Sequence, residues 1–182
     1  MRKYKMILSV LVIALTISTM MPAAFAASVN TNLAIKPGSF SISPITIGSF
    51  GNLTLSGQDQ IVQAVISDFT VTDARGNAKG WTVQVSATPF TNGTSALHEG
   101  ALTISGAMGT SVGHSDTFDS SYIKNATTLT AVPSNYIVVP RSKGKGTFNF
   151  SGGKLELEIW PSEVVEGTYT SDITIDVVAN ID

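Results

Sequence analysis

The alternation of apolar and polar residues is clearest in the stretch from Val71 to Phe90, VTDARGNAKGWTVQVSATPF. Trp81, Val83, Val85 and Ala87 fall on one side of an extended chain, and Thr82, Gln84 and Ser86 on the other. A period of two with one apolar face marks a half-buried strand. Val65, Phe69 and Val71 show the same spacing just before it, with Ser67 breaking the set. Asp73 to Gly80 holds two glycines, an Asx residue at each bend and two cations, which is the composition of a solvated hairpin loop. The pattern predicts strands over residues 64–72 and 80–88, paired as a central hairpin. Trp81 reads as a core anchor whose indole N–H needs a partner.

The last third repeats the alternation. Phe148 and Phe150 mark a strand over 147–151. Leu155, Leu157 and Ile159 face inward over 154–160, with Glu156 and Glu158 outward. Ser151-Gly152-Gly153 reads as a tight hairpin between the two. Tyr169, Ser171, Ile173, Ile175 and Val177 then alternate against Thr170, Asp172, Thr174 and Asp176. Nearer the start, Pro37-Gly38 and Pro44 punctuate residues 35–47, so edge strands are expected there, because proline cannot donate to a ladder. Residues 49–57 alternate weakly around Leu53 and Leu55, and short strands are expected at 101–105 and 136–139. The rest of 91–122 is rich in glycine and serine and reads as long surface loops. Residues 58–64 come nearest to a helical period, but Ile61, Val62 and Val65 fit a strand equally well. These runs predict an all-β, antiparallel β-sandwich of Ig-like or Greek-key type, with roughly eight to ten strands.

The first residues stand apart. Arg2, Lys3 and Lys5 precede an apolar run from Met6 to Met20, Pro22 breaks it, and Ala24-Phe25-Ala26 supplies a small-x-small site. This is the layout of a secretory signal peptide, cleaved after Ala26. Residues 27–182 are then one β domain with no transmembrane segment. The leader carries three of the eleven cations and none of the thirteen acids, so the remainder has eight cations, thirteen acids and a formal charge of −5. That balance argues against nucleic acid as a partner. Cysteine is absent, which suits an exported bacterial chain and rules out a lipid-modified cleavage site. No sortase-type LPxTG segment precedes Asp182, so covalent wall anchoring is not expected.

Little here points to catalysis. Gly109-Thr110-Ser111-Val112-Gly113 is formally G-x-S-x-G, but no helix pattern follows it and no histidine lies beyond His114. His98 and His114 are the two histidines, read as exposed loop residues, and with no cysteine there is no structural zinc set. Glu99, Asp116 and Asp119 lack the alternating oxygen pattern of a calcium loop. Glu156 and Glu158 lie about 7 Å apart on one exposed strand face, whereas glycosidase carboxylates converge from different strands. The chain is therefore read as a non-enzyme with no cofactor and no metal. Trp160, Tyr122 and Tyr136 are candidate sugar-stacking rings, with core or rim packing as the competing reading. Arg141, Lys143 and Lys145 form a basic turn, read as a solvated hairpin tip or as a contact for an anionic wall polymer.

Thr72-Asp73-Ala74-Arg75-Gly76 followed by Gly80-Trp81-Thr82-Val83 resembles the first signature of the WxL-type surface domains of Gram-positive bacteria, a TD-x-RG segment leading into GW-x-L or GW-x-V. Gly167-Thr168-Tyr169-Thr170 resembles the start of their second signature, with Ile175-Asp176-Val177 standing where W-x-L is expected. The resemblance makes Trp81, Thr82, Val83, Tyr169, Ile175 and Val177 the family-motif positions, most of them shaping the fold. It implies a secreted surface protein held non-covalently on the cell wall, through peptidoglycan or a wall polysaccharide, with other surface proteins or further copies of itself as additional partners. The alternative from the residues alone is a structural matrix, fibre or coat subunit that assembles through edge strands.

Overall fold

The computed structural model describes residues 30–180, and the predicted leader with its cleavage site lies outside the described residues. The described chain is all-β, with eleven strands and a single 3-10 turn at Ser120–Tyr122. The strands are β1 (Phe40–Ile42), β2 (Gln60–Val65), β3 (Phe69–Asp73), β4 (Trp81–Ala87), β5 (Leu102–Ser105), β6 (Met108–Val112), β7 (Ala126–Leu129), β8 (Ser134–Val139), β9 (Gly146–Ser151), β10 (Lys154–Ile159) and β11 (Ile173–Ala179). They form three antiparallel sheets with orders β1-β3-β9-β6, β2-β10-β5-β7 and β11-β4-β8. Among the described residues no helix is long and apolar enough to cross a membrane.

Alternation located the strands that bury one face. Trp81, Val83, Phe148, Phe150, Leu155 and Leu157 are all buried. Removing such side chains from water stabilises by roughly 1.5–3 kcal/mol each. Trp81 sits among Phe148 and Phe150, with ring centroids 5.6 and 6.2 Å away. The short strand at the proline-rich start is an edge, as expected: β1 pairs with β3 alone.

The connections differ from the sequence reading. Residues 64–72 are two strands in two sheets, broken where Ile66 N donates to Gly153 O and Ser67 N to Thr46 O. Val65 consequently points outward at 70% exposure, and Ile66 fills the core. The predicted central hairpin does not form, because β3 and β4 belong to different sheets. The same holds for Ser151-Gly152-Gly153 between β9 and β10, and for the basic turn between β8 and β9. These turns carry the chain from one sheet to another. Residues 49–57 form no strand. Residues 91–122 are more than loop: they include β6 and the buried Leu97. β6 (MGTSV) is an edge strand without a buried face, so it has no apolar period to read.

Candidate functional site

The motif residues build the frame. Asp73 ends β3 at 2% exposure, and its carboxylate accepts from the Arg75 backbone N–H (3.1 Å), from Nε (2.9 Å) and from Nη2 (2.7 Å). Arg75 also donates to Gly80 O at 3.1 Å and lies 4.0 Å above the Phe40 ring. Thr-Asp-x-Arg-Gly is thus a clip that fixes the passage from one sheet to the next. Gly80 follows with φ +74, where a Cβ would lie 2.6 Å from Pro140 O. The Trp81 indole N–H donates to Gly144 O at 3.0 Å.

The two signatures meet in one ladder. In the β4–β11 pairing, Val83 faces Val177, Val85 faces Ile175 and Trp81 faces Ala179. Thr82, buried at 6%, donates to Asn180 Oδ1 at 2.8 Å. Just before β11, Thr170 pairs with Thr91, and the Tyr169 hydroxyl accepts from Val165 N at 3.0 Å. Gly167, Thr168 and Tyr169 line a groove of about 740 Å³ whose floor includes Phe50, Phe90 and Leu157. Ile175 lines a second, of about 430 Å³, with Ile42, Ile45 and Ile47.

The three aromatic candidates part company. Tyr136 is buried to 1%, and its hydroxyl accepts from Ala107 N at 3.1 Å, so its ring is closed to a surface ligand. Burial holds its ionisation above the ordinary tyrosine value, partly offset by that hydrogen bond. Tyr122 is half-buried, edge-on to Phe118 at 5.5 Å. Trp160 is 36% exposed and stacks on His98, with centroids 3.7 Å apart and planes 13° apart. One face of the indole is therefore backed by a second ring. His98 is held in turn by Glu163, whose Oε2 lies 2.8 Å from Nδ1 and accepts the His98 backbone N–H at 3.1 Å. Glu158 stands 3.8 Å from Nε2. His98 is thus a packed residue with a side chain 17% exposed, not the exposed loop histidine its sequence context suggests. His98 and Glu99 also line a cleft of about 240 Å³ with Thr88, Pro89 and Phe90. The contact to Glu163 spans 65 positions and had no signal in local sequence.

The basic turn is exposed at Arg141, Lys143 and Lys145, while Gly144 is buried beneath it. Lys145 N donates to Asp116 Oδ2 at 2.9 Å, and Asp116 N donates to Lys145 O at 2.9 Å. Asp119 accepts Ser121 N at 2.8 Å, which lowers its pKa. Both carboxylates thus serve backbone groups. Ser111 lies on β6, and its hydroxyl donates to Asp116 O and accepts from Phe118 N, each at 2.8 Å. It is a loop tie on a strand, not the strand-to-helix elbow a nucleophile needs. Glu156 accepts from Lys154 at 3.0 Å and Gln63 at 2.8 Å, so the two strand glutamates do not act as a pair.

A family model described as a WxL domain, surface cell wall-binding, matches residues 28–180. The chain belongs to the WxL domain family. It is accordingly a non-catalytic surface protein associated with the cell wall. No curated protein and no solved structure matches the chain. In this WxL domain the first signature tryptophan is a core residue, and Ile175 and Val177 of the second signature pair with Val85 and Val83 on the same strand as that tryptophan.

Proposed function

We propose that this WxL domain binds the glycan of the cell wall non-covalently, with Trp160 as its sugar-stacking ring. The observation that carries the reading is the Trp160–His98 stack at 3.7 Å. A ring already backed on one face loses little freedom when a sugar covers the other. Glu158 and Glu163 beside it supply acceptors for hydroxyl groups. Peptidoglycan strands offer that combination of apolar sugar faces and hydroxyls. Tyr122, half-buried against Phe118, is read as rim packing, and Trp81, Thr82, Val83, Tyr169, Ile175 and Val177 serve the frame.

The frame itself is read as a β-sandwich of Greek-key kind, which the strand orders β1-β3-β9-β6 and β2-β10-β5-β7 support. The first 26 residues are read as a removed leader and 27–182 as the working domain. The family match, beginning at residue 28, supports this. Retention on sacculi freed of their accessory polymers tests the binding site. Trp160→Ala should weaken it by about tenfold, or ~1.4 kcal/mol, with the folded state retained by circular dichroism at the assay temperature. Unaltered retention would end the assignment of Trp160.

A second reading, a self-assembling matrix or coat subunit, is favoured by β6. This edge strand exposes Met108 at 65% and Val112 at 41%. Concentration-dependent light scattering distinguishes the two.

A further inference from the structure

Half of the positive charge beyond the leader is gathered on two adjoining loops. Lys79 stands on the β3–β4 connection, and Arg141, Lys143 and Lys145 stand on the β8–β9 connection. These are four of the eight lysines and arginines that follow residue 26. The loops are joined where Ser142 N donates to Ala78 O at 2.8 Å. Both residues at that junction hold left-handed backbone, with φ 52° at Ala78 and 67° at Ser142. They are the two non-glycine residues with positive φ among the described residues. Such conformations persist only where the surroundings over-determine them, and they cluster at ligand clamps.

What holds the basic loop is visible. Trp81 reaches up from the core to Gly144 O, and Asp116 clamps Lys145 through two backbone hydrogen bonds. The backbone is fixed while the charged side chains stay exposed. Among the described residues no carboxylate lies within ion-pair distance of the Lys143 or Lys145 ammonium group. Asp73 is already committed to Arg75.

We infer that this pair of loops is a binding surface for a linear phosphodiester polymer of the cell wall. The chain beyond the leader is net negative, so an anionic partner is attracted only by this local concentration of charge. Lysine ammonium groups are compact point charges that bind phosphate oxygens without a planar counterpart. A pre-fixed loop spends little on ordering when the polymer arrives. A chain of repeated single charges engages several cations together and releases counterions, so its binding falls with salt. The inference rests on the wall-associated placement of the WxL domain but not on Trp160. The two fail separately, because sacculi freed of phosphodiester polymer test only the tryptophan.

The test is binding of the purified protein to poly(glycerol phosphate), with polygalacturonate and phosphatidylglycerol vesicles as comparison arms, over a range of salt. The wild type should prefer poly(glycerol phosphate), with affinity falling linearly on a log–log salt plot. Lys143→Gln with Lys145→Gln should weaken binding about tenfold at low salt. It should also reduce the slope by roughly 0.7 for each lysine, the value for a single-stranded polyanion. Trp160→Ala should leave both unchanged. Equal binding by the lysine variant at unchanged melting temperature overturns the inference. So does equal or tighter binding to either comparison arm, salt-independent binding, or no binding to poly(glycerol phosphate).

Discussion

Asp73 brings a carboxylate into a site that is 2% exposed, and Arg75 determines what that costs. Burial alone would raise its pKa. The Arg75 hydrogen bonds and charge outweigh burial and hold it below the ordinary carboxylate value. A carboxylate with a depressed folded pKa stabilises the fold above its unfolded value, about 3.9, and that contribution is lost as pH falls through the folded value. Arg75→Ala leaves the charge buried and unpaired, which costs about 3 kcal/mol at neutral pH. The gap in melting temperature between wild type and variant should be wide at neutral pH and shrink on acidification, once Asp73 takes up a proton in both. A gap independent of pH would contradict this account of the clip. Trp81→Phe should cost about 2 kcal/mol by denaturant titration, from the lost ring volume and an orphaned Gly144 carbonyl. The need of the Trp81 indole for a partner was legible in the sequence. The partner was not, because it is a backbone carbonyl 63 positions away, and every residue carries one of those.

At the scale of elements, β4, β9, β10 and β11 were legible because each hides one face and shows the other to water or to a neighbouring layer. Their partners were not. Glycine- and Asx-rich turns serve a hairpin and a passage between sheets equally well, so Ser151-Gly152-Gly153 and Asp73–Gly80 have the composition of hairpins and are crossings. The Trp160–His98 stack was half legible: the ring was singled out, but its backing came from a loop held by Glu163. The groove beside Ile175 bears on the second signature. Ile42, Pro44, Ile45 and Ile47 line it opposite β11, leaving room for a larger apolar side chain. Ile175→Trp should fill it and stabilise by about 1 kcal/mol, which is a rise of roughly 2–4 °C in melting temperature for a chain of this size. A fall would mean the groove cannot accept the ring. On β6, Met108→Lys with Val112→Lys should leave the melting temperature within about 1 °C, since both side chains are exposed. Any concentration-dependent scattering of the wild type should diminish in that variant, because an edge charge opposes strand addition.

For the whole molecule, the wall-binding family was legible from two short signatures far apart in sequence, and the structure gives the reason they travel together. They are neighbouring strands of one sheet, Trp81–Ala87 beside Ile173–Ala179. The candidate binding residues carry less of such constraint: Lys143 and Lys145 lie exposed at the surface, where packing does not dictate identity, and Trp160 is packed on one face by His98. The pairing of β4 with β11 also has a consequence for how the protein is made. Contacts between distant parts of a chain form slowly, because the intervening loop must close first. A chain synthesised from its N-terminus contains β4 long before β11 exists. Its tryptophan-bearing sheet lacks one flank until the last strand has emerged. Completion of that sheet therefore waits for residues 173–179, an order set by the topology.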